Sequence, residues 1–424
     1  MKVFKFGGAS VKDAPAFRNI LTILNEYKDA DLFIVISAMG KMTNAFEKLL
    51  EDYFNRLHYE DHLNQIKKYH FDIVNELFAD INNDIINHIQ TIFKSLEDNL
   101  NKPSSKNYNF EYDRIVSYGE LISSTILSHF LNAHNLKNVL IDARDVIKTD
   151  ATYREARVDW GNTSALIADA YRKVLAKDCK IAVTQGFIGA SPHGFTTTLG
   201  REGSDFTAAI LGYSLKAEEV VIWKDVPGVL NADPKQFDET QKIDYLTYLD
   251  AIELSYYGAT VIHPQTIKPL ENTNIPLLVK SFINSKGEGT VISNRCPKVK
   301  PIPSFIFKFN QILISIQPKD FSFIVERNIS AIFMMLARYN IKVNLMQNSA
   351  VSFSICTDYD SFKTPQLLEE LKKDFKIYYN QNLDLVTIRH YNDETIMKVC
   401  KDKEMILEQK SRNTAQMILK KKSA

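Results

Sequence analysis

Short apolar runs alternate with longer stretches of helical periodicity from the N-terminus to about residue 295. This alternation predicts an α/β domain built on a mostly parallel sheet. Ligands of such sheets bind at the loops that follow the strands. Each predicted strand here precedes a polar or glycine-containing loop, and the six lie at residues 3–6, 32–37, 139–142, 180–185, 219–225 and 276–281.

The segment between residues 43 and 101 has little glycine or proline and a repeated apolar spacing, as at Leu49, Leu50, Tyr53 and Leu57. That spacing predicts two or more helices. We expect a helical insertion over the site, at about residues 43–135. For nearly all of its apolar residues, plain core packing is the favoured interpretation.

A second domain is predicted after the proline-rich stretch CPKVKPIPS at residues 296–304, which is typical of a linker. The domain limits are therefore 1–295, a linker at 296–304, and 305–424. The second domain reads as a small antiparallel module begun twice. Its predicted elements are a strand at 312–316, a helix at 329–339, strands at 342–346 and 351–356, a helix at 364–375, a strand at 383–389 and a strand pair near 405–420.

Composition narrows the possible partners. The 424 residues include 52 Lys and Arg against 51 Asp and Glu, so a net charge of +1 gives no reason to expect nucleic acid or an anionic membrane. No run approaches the roughly 20 apolar residues of a bilayer span. The four cysteines lie far apart without a CxxC pair, so neither a zinc site nor a disulfide framework is expected. A reducing cytoplasm fits this pattern.

The first candidate motif is KFGGAS, Lys5–Ser10, at the end of the first predicted strand. Adjacent glycines allow backbone to approach phosphate oxygens closely, and Lys5 would supply a positive charge to a transferring phosphoryl group. A tight turn without function is the competing interpretation. Neither a Walker A loop nor a GxGxxG fingerprint occurs, which disfavours P-loop and Rossmann chemistry.

The second motif is TTTLGREGSDFTAA, at residues 196–209, where a Thr/Gly loop runs into a helix predicted to begin near Ser204 or Asp205. A helix N-terminus attracts anions, and Arg201 could grip a carboxylate with its bidentate fork. Alternatively, Ser204 or Asp205 is only an N-cap.

Two further motifs complete the set. In IWKDVPGVLNADPK, residues 222–235, a strand ends at Lys224 and Asp225 before two turns, where Trp223 and Lys235 could hold a nucleotide. Turn geometry alone also explains its prolines and glycine. In SYGELISS, residues 117–124, Glu120 lies near a predicted helix start, where a carboxylate is favoured by the helix dipole.

In this order, KFGGAS, SYGELIS, QGFIG, TTTLGREGSDFTAA, WKDVPGVLNADP and YYGATVIHPQTI closely resemble the aspartate kinases of the amino acid kinase family. The resemblance spans the whole chain, because the region after residue 304 is similar to their ACT-type regulatory region. It implies an amino acid kinase fold, with a mostly parallel central sheet sandwiched by helices, followed by an α+β ACT-like (βαββαβ) domain.

The resemblance also implies an activity: ATP-dependent phosphorylation of the side-chain carboxylate of L-aspartate to 4-phospho-L-aspartate, at the head of lysine, threonine and methionine biosynthesis. Lys5 and Asp205 would be the catalytic residues. In the aspartate pocket, Arg201 would bind the α-carboxylate and Glu120 the ammonium. The remaining aspartate-binding residues would be Ser37, Thr43, Phe187 and Ser204.

ATP with Mg²⁺ is the implied cofactor, and the metal would be carried by the nucleotide rather than by a protein site. Lys5, Gly7, Gly8 and Ser10 would face its phosphates. The rest of the ATP site would be lined by Lys224, Asp225, Leu230 and Lys235.

Several positions depart from the family pattern. Ala9 stands where Thr is usual, Glu202 where Gly is frequent, and Lys235 where Arg is common. Thr260 replaces a lysine that many members use near the nucleotide. Lys224, where Thr or Ser is common, is our candidate to compensate for it.

The regulatory end departs further. Members that bind lysine usually place an acidic residue at the position of Asn344, and the loop FIVERNI at 323–329 lacks the usual glycine. An amide cannot pair an ammonium with full charge, so inhibition by lysine or threonine is left open. We expect the second module to be truncated, without its last helix. A homodimer through the ACT-like sheets is expected, because a sheet edge invites pairing.

Two alternatives stay open. Another amino acid kinase, acting on glutamate, acetylglutamate, carbamate or uridylate, shares single motifs with this chain. A non-catalytic amino-acid-binding regulator would keep the fold and lose turnover. The presence of Lys5, Glu120, Arg201 and Asp205 favours the kinase.

Overall fold

A computed structural model describes residues 1–79, 84–237, 239–259, 262–295, 297, 300–320 and 322–422. Thr260 and part of the predicted linker, residues 296, 298 and 299, lie outside the described residues. The chain forms two compact units. Unit 1 comprises Met1–Val229, Lys242–Ile252 and Val261–Val299, and unit 2 comprises Leu230–Gln241, Glu253–Thr260 and Lys300–Ala424.

Unit 1 is built on an eight-stranded, mostly parallel sheet. Its strand order is β3-β4-β2-β1-β7-β9-β10-β8, and only the β9–β10 pair is antiparallel. A separate hairpin is formed by β5 and β6. The strands are β1 (Lys2–Phe6), β2 (Leu32–Ile36), β3 (Asn138–Ile141), β4 (Ile181–Gln185), β5 (Ile188–Ala190), β6 (Thr196–Thr198), β7 (Glu219–Lys224), β8 (Tyr245–Leu246), β9 (Leu277–Ser281) and β10 (Thr290–Ile292).

The central strands have apolar side chains on both faces because helices cover the sheet on both sides. All five residues of β2 are buried. The helices of unit 1 are α1 (Ala14–Asn25), α2 (Met42–Phe54), α3 (Glu60–Phe78), α4 (Ile85–Leu100), α5 (Tyr108–Val116), α6 (Tyr118–Ala133), α7 (Ala143–Val146), α8 (Trp160–Leu175), α9 (Gly203–Leu215), α10 (Tyr248–Tyr257, whose last residues belong to unit 2) and α11 (Pro264–Thr273).

Helices α2 to α6 occupy the segment that was predicted to be helical. Their buried apolar residues, such as Phe46, Phe93 and Phe130, join one core with the strands β1 and β2. In α2, α3 and α4 the buried residues recur on one face of the helix, whereas α6 is buried on nearly all sides.

Unit 2 contains one six-stranded antiparallel sheet of order β12-β13-β11-β14-β16-β15. Helices α12 and α13 cover one apolar cluster of this sheet, and α14 packs on another. The elements are β11 (Ser304–Pro318), α12 (Glu326–Arg338), β12 (Val343–Asn348), β13 (Phe353–Asp358), α13 (Lys363–Asp374), β14 (Phe375–Arg389), α14 (Asp393–Cys400), β15 (Lys403–Lys410) and β16 (Thr414–Lys421).

Two fifteen-residue strands, β11 and β14, run through both halves of this sheet. Their register shifts near Gln311, next to Asn310, which has a left-handed φ of 54°. A bulge of this kind lets one strand serve two modules, since each half pairs with different neighbours. The predicted strands at 312–316 and 383–389 are thus parts of longer ones.

The predicted fold class is confirmed, with six strands of unit 1 found within one residue of their predicted ends. Four short strands, β5, β6, β8 and β10, were not predicted. Helix α14, which was also missed, lies in the second module. No described helix is long and apolar enough to cross a membrane.

Candidate active site

A cavity of about 890 Å³ opens where β1, β2 and β7 of unit 1 end. The carboxyl ends of parallel strands are where α/β sheets hold their ligands. Side chains from the end of β1 (Lys5), the loop after β2 (Ser37) and the end of β7 (Lys224) line it, together with the start of α9.

The charges in this cavity are organised around Asp205 on α9. Lys5 Nζ lies 2.6 Å from Asp205 Oδ1, and Lys224 Nζ lies 3.8 Å from Oδ2. Asp205 is 3% exposed. Burial would raise the pKa of this carboxyl, but the charges of Lys5 and Lys224 outweigh burial and lower it below its usual value. Two cations are therefore held by one ionised carboxylate.

Glu120 lies in the first turn of α6, as predicted, and is almost completely buried. Its Oε1 accepts a hydrogen bond of 3.1 Å from the backbone N–H of Ala38. Its Oε2 is buried with no hydrogen-bond partner among the described residues. Burial raises the pKa of Glu120 to about 8, opposed by the Ala38 N–H and the charge of Lys5. An unpaired buried carboxylate oxygen at a cavity is a site for a cation.

The glycines after β1 permit a close packing of loops. A Cβ atom at Gly8 would lie 2.8 Å from the carbonyl oxygen of Gly40. Gly40 N–H donates to the Gly8 carbonyl at 3.0 Å. At Gly7, a Cβ atom would lie 3.3 Å from Lys5 Nζ. Any side chain at Gly8 would thus displace the loop after β2, and one at Gly7 would crowd the lysine.

The start of α9 corrects one prediction. The helix begins at Gly203, and its N-cap is Glu202 in the left-handed conformation (φ 55°), so neither Ser204 nor Asp205 is the N-cap. Both lie inside the first turn, where they line the cavity. Glycine adopts this left-handed conformation more readily than a residue with a side chain. Here the Glu202 carboxylate accepts a hydrogen bond from His263 N–H at 2.9 Å.

The structure brings most of the predicted site residues to this cavity. The predicted residues that line it are Lys5, Ser37, Thr43, Glu120, Phe187, Arg201, Ser204, Asp205 and Lys224. Gly7, Gly8, Ser10 and Asp225 belong to the same unit but do not line the cavity, and Leu230 and Lys235 belong to unit 2.

Sequence reasoning missed one wall of the cavity. This wall comes from the start of α5 and from the turn before α8, neither of which carries a glycine or proline signal. The unpredicted lining residues of these two segments are Asn109, Tyr112, Thr152, Tyr153, Arg154 and Glu155.

The described part of the chain contains no group of three or more His, Cys, Asp or Glu side chains placed to hold a metal ion. Both oxygens of Asp205 already face lysine ammonium groups. The ammonium groups of Lys5 and Lys224 therefore suit an anionic ligand on this side of the cavity.

Comparison with known proteins shows the family to which this chain is similar. The amino acid kinase family matches residues 1–281. The lysine-sensitive aspartokinase 3 of Escherichia coli K12 is 30% identical over 395 residues, which cover 91% of this chain and 86% of the relative. The chloroplastic aspartokinase 1 of Arabidopsis thaliana is 31% identical over 385 residues, or 87% of this chain and 65% of that relative.

A solved structure extends the likeness to both units. E. coli aspartokinase III in complex with aspartate and ADP (R-state) superimposes with a TM-score of 0.81 at 27% identity, covering 99% of this chain and 96% of that one. The chain belongs to the amino acid kinase family and, within it, to the aspartokinases.

Proposed function

We propose that this chain is an aspartate kinase that transfers the γ-phosphoryl group of ATP to the side-chain carboxylate of L-aspartate. The product would be 4-phospho-L-aspartate, the entry to lysine, threonine and methionine synthesis. The observation that carries the proposal is the unpaired Oε2 of buried Glu120, in one cavity with Arg201 and the Lys5–Asp205–Lys224 cluster.

The amino acid end of the acceptor is matched by Glu120 and Arg201. The Glu120 carboxylate accepts hydrogen bonds from the substrate ammonium, which supplies the partner that Oε2 lacks. Arg201 binds the α-carboxylate through its planar fork. The pocket is completed by Ser37, Thr43, Phe187 and Ser204.

The reaction needs no general base, because the acceptor carboxylate is already ionised at pH 7. One carboxylate oxygen forms a bond to the γ-phosphorus as the bond to the β,γ-bridging oxygen breaks, and ADP leaves with that electron pair. Positioning and charge neutralisation supply the catalysis. Lys5 stabilises the transferring phosphoryl group, and Asp205 holds the Lys5 ammonium in place.

For ATP we assign Lys5, Gly7, Gly8 and Ser10 to the phosphates. The other proposed ATP-binding residues are Lys224, Asp225, Leu230 and Lys235. Mg²⁺ would enter on the phosphates of ATP, since it keeps most of its water ligands and usually takes few from protein. Bound in that way, the ion would neutralise charge on the nucleotide.

We assign regulation and dimerisation to the ACT-like domain. Its proposed limits are 305–424, and those of the kinase domain are 1–295. The proposed location of the protein is the cytoplasm.

For the dimer, we expect a second copy of the chain to bind the surface of the first module that α12 and the edge strand β12 form. There, β12 forms one edge of the sheet, and the apolar side chains of Phe333, Met334 and Met346 are 39%, 63% and 52% exposed. Light scattering of Met334→Glu, compared with the wild type, tests this: a dimer that loses mass supports the assignment, and unchanged mass contradicts it.

Coupled ADP release with Mg-ATP tests the activity, using L-aspartate, L-glutamate or no acceptor. We expect turnover when L-aspartate is the acceptor, and none with L-glutamate or without an acceptor. Turnover with glutamate instead would indicate another amino acid kinase. Absence of turnover with every acceptor, in a protein that binds aspartate by calorimetry, would indicate an amino-acid-binding regulator.

A further inference from the structure

The unpredicted wall of the cavity carries a second arginine. Arg154 lies in the turn between α7 and α8, and it lines the same cavity as Arg201. No carboxylate among the described residues forms an ion pair with the guanidinium of Arg154. The charge of Arg154 acts on the Asp113 carboxylate, but the guanidinium forms no ion pair with it and lines the cavity, where it can meet an anionic ligand.

Contacts hold both the backbone and the guanidinium of Arg154. Its backbone N–H donates to both carboxylate oxygens of Asp113, at 3.1 Å each. Its guanidinium lies 4.3 Å from the centroid of the Tyr112 ring, and Tyr112 OH in turn donates to Glu47 at 2.8 Å. A guanidinium over an aromatic ring still has N–H groups available for a ligand.

The backbone of Arg154 has a left-handed φ of 69°. For a residue with a Cβ atom this conformation costs of order 1 kcal/mol or more, and such residues cluster at ligand sites where the surroundings hold them in place. Asp113 provides that restraint, because its carboxylate is fully buried and accepts the Arg154 N–H.

Asp113 also connects the two segments that carry the arginines. It accepts hydrogen bonds from Thr198 N–H at 2.8 Å and from Thr198 Oγ1 at 2.7 Å. Thr198 ends β6, three residues before Arg201. One buried carboxylate on α5 therefore holds both the Arg154 turn and the strand that leads to Arg201.

We propose that Arg154 is a second carboxylate-binding residue of the acceptor pocket and that Asp113 is its positioning residue. This inference rests on the proposed function, which supplies an acceptor with two carboxylates. The Lys5 and Lys224 ammonium groups face Asp205, so the two arginines are the cavity cations left to bind acceptor carboxylates. Arg154 and Arg201 would select a dicarboxylate over a monocarboxylate.

The decisive variant is Arg154→Gly, because glycine suits the left-handed backbone and removes only the side chain. We expect the KM for L-aspartate to rise about tenfold to a hundredfold, as for a lost charge-assisted hydrogen bond, with kcat and the KM for ATP within twofold. The matched control is Arg157→Ala in the same segment: Arg157 is exposed and does not line the cavity. An unchanged KM for aspartate in Arg154→Gly would overturn the proposal.

The positioning role is tested by a double-mutant cycle. Asp113→Asn should raise the KM for aspartate in the wild-type background and by a clearly smaller factor in the Arg154→Gly background, because the two residues act together. Equal factors in both backgrounds would show that Asp113 is only structural.

Calorimetric titration of L-aspartate into the same proteins separates this inference from the proposed function. If the wild type binds aspartate but turns over no acceptor, the kinase assignment fails. The Arg154→Gly protein then still reports on the arginine, through a weakened or unchanged dissociation constant. Weakening supports the inference, and an unchanged constant overturns it.

Discussion

Each unit contains a polar cluster, and the two clusters differ in whether every polar group has a partner: the cluster around Glu120 is buried, whereas in the second cluster only Gln311 is fully buried. In unit 1, Glu120 Oε2 has no hydrogen-bond partner in the described part of the chain and lies beside a cavity of about 890 Å³. In unit 2, Lys308 Nζ donates to Asn344 Oδ1 at 2.7 Å, and Asn344 Nδ2 donates to Gln311 Oε1 at 2.8 Å and to Asp358 Oδ1 at 3.0 Å. The cavity beside the second cluster is only about 10 Å³.

The difference separates a binding site from a structural network. Unsatisfied buried polar groups cost free energy, so a protein keeps them where a ligand completes them. A network that satisfies itself specifies packing instead. Asn344 lies at the position where an acidic residue is expected in lysine-binding members. Its Oδ1 already accepts a hydrogen bond from the ammonium of Lys308. The following variants test this contrast, beginning with the largest expected effect.

Lys5→Ala removes the charge closest to the proposed phosphoryl transfer. We expect kcat to fall by about 10² or more, the usual loss for a preorganised electrostatic contact. Steady-state ADP release measures it. The control is Lys2→Ala on the same strand, whose ammonium pairs with Glu219 rather than Asp205, and which should keep normal turnover. Near-normal kcat in Lys5→Ala would remove Lys5 from the catalytic machinery.

Glu120→Gln keeps the shape of the Glu120 side chain and removes the charge of its carboxylate. We expect the KM for L-aspartate to rise about tenfold to a hundredfold, because a charge-assisted contact to the ammonium is lost. The KM for ATP should stay within twofold of the wild type.

The pH dependence of Glu120 sharpens the same comparison. With a pKa of about 8 in the empty pocket, Glu120 is mainly protonated at pH 7 and cannot pair with an ammonium. In the wild type, kcat/KM for aspartate should therefore rise as the pH increases through about 8. The Gln variant should lack this rise. A rise of equal size in both proteins would assign it to another group.

The sequence predicted the charged residues of the cavity in unit 1 better than the residues at the start of α5 and in the turn before α8 that also line it. Lys5, Glu120 and Asp205 each lie in a motif with a strand end or a helix start, and the six predicted strands of unit 1 end within one residue of the observed ones. The Arg154 turn gives no comparable signal, because its left-handed residue is an arginine and its partner Asp113 lies in another helix.

The same limit applies to unit 2. Each half of β11 is apolar, but Asn310 interrupts the alternation at the bulge, so only the second half was predicted as a strand. The pairing of both halves with β14 is a tertiary feature, and strand periodicity does not specify partners. The helix α14 was missed because its eight residues are fewer than the roughly 11 to 18 residues over which apolar periodicity indicates a helix.

Lys224→Ala should weaken the ATP side of the cavity. The residue is partly exposed and lies farther from Asp205 than Lys5 does, so its contribution is smaller. We expect a rise of about threefold to tenfold in the KM for ATP, consistent with one partly screened charge contact. Lys242→Ala, which removes a surface ion pair with Asp244, serves as the control. If the KM for ATP is unchanged, Lys224 does not compensate for Thr260.

Lys308→Met opens the closed cluster of unit 2 and should have the smallest effect on catalysis. The substitution keeps an apolar stem of similar length but leaves Asn344 Oδ1 without its donor. Burial lowers the pKa of Lys308, which shows that the ammonium is held partly away from water. We expect the free energy of unfolding to fall by about 1 kcal/mol. Denaturant titration measures this, and kcat and both KM values should stay within twofold. A large loss of turnover at unchanged stability would mean that this network serves the reaction, and the contrast between a ligand-binding cluster and a structural one would then be wrong.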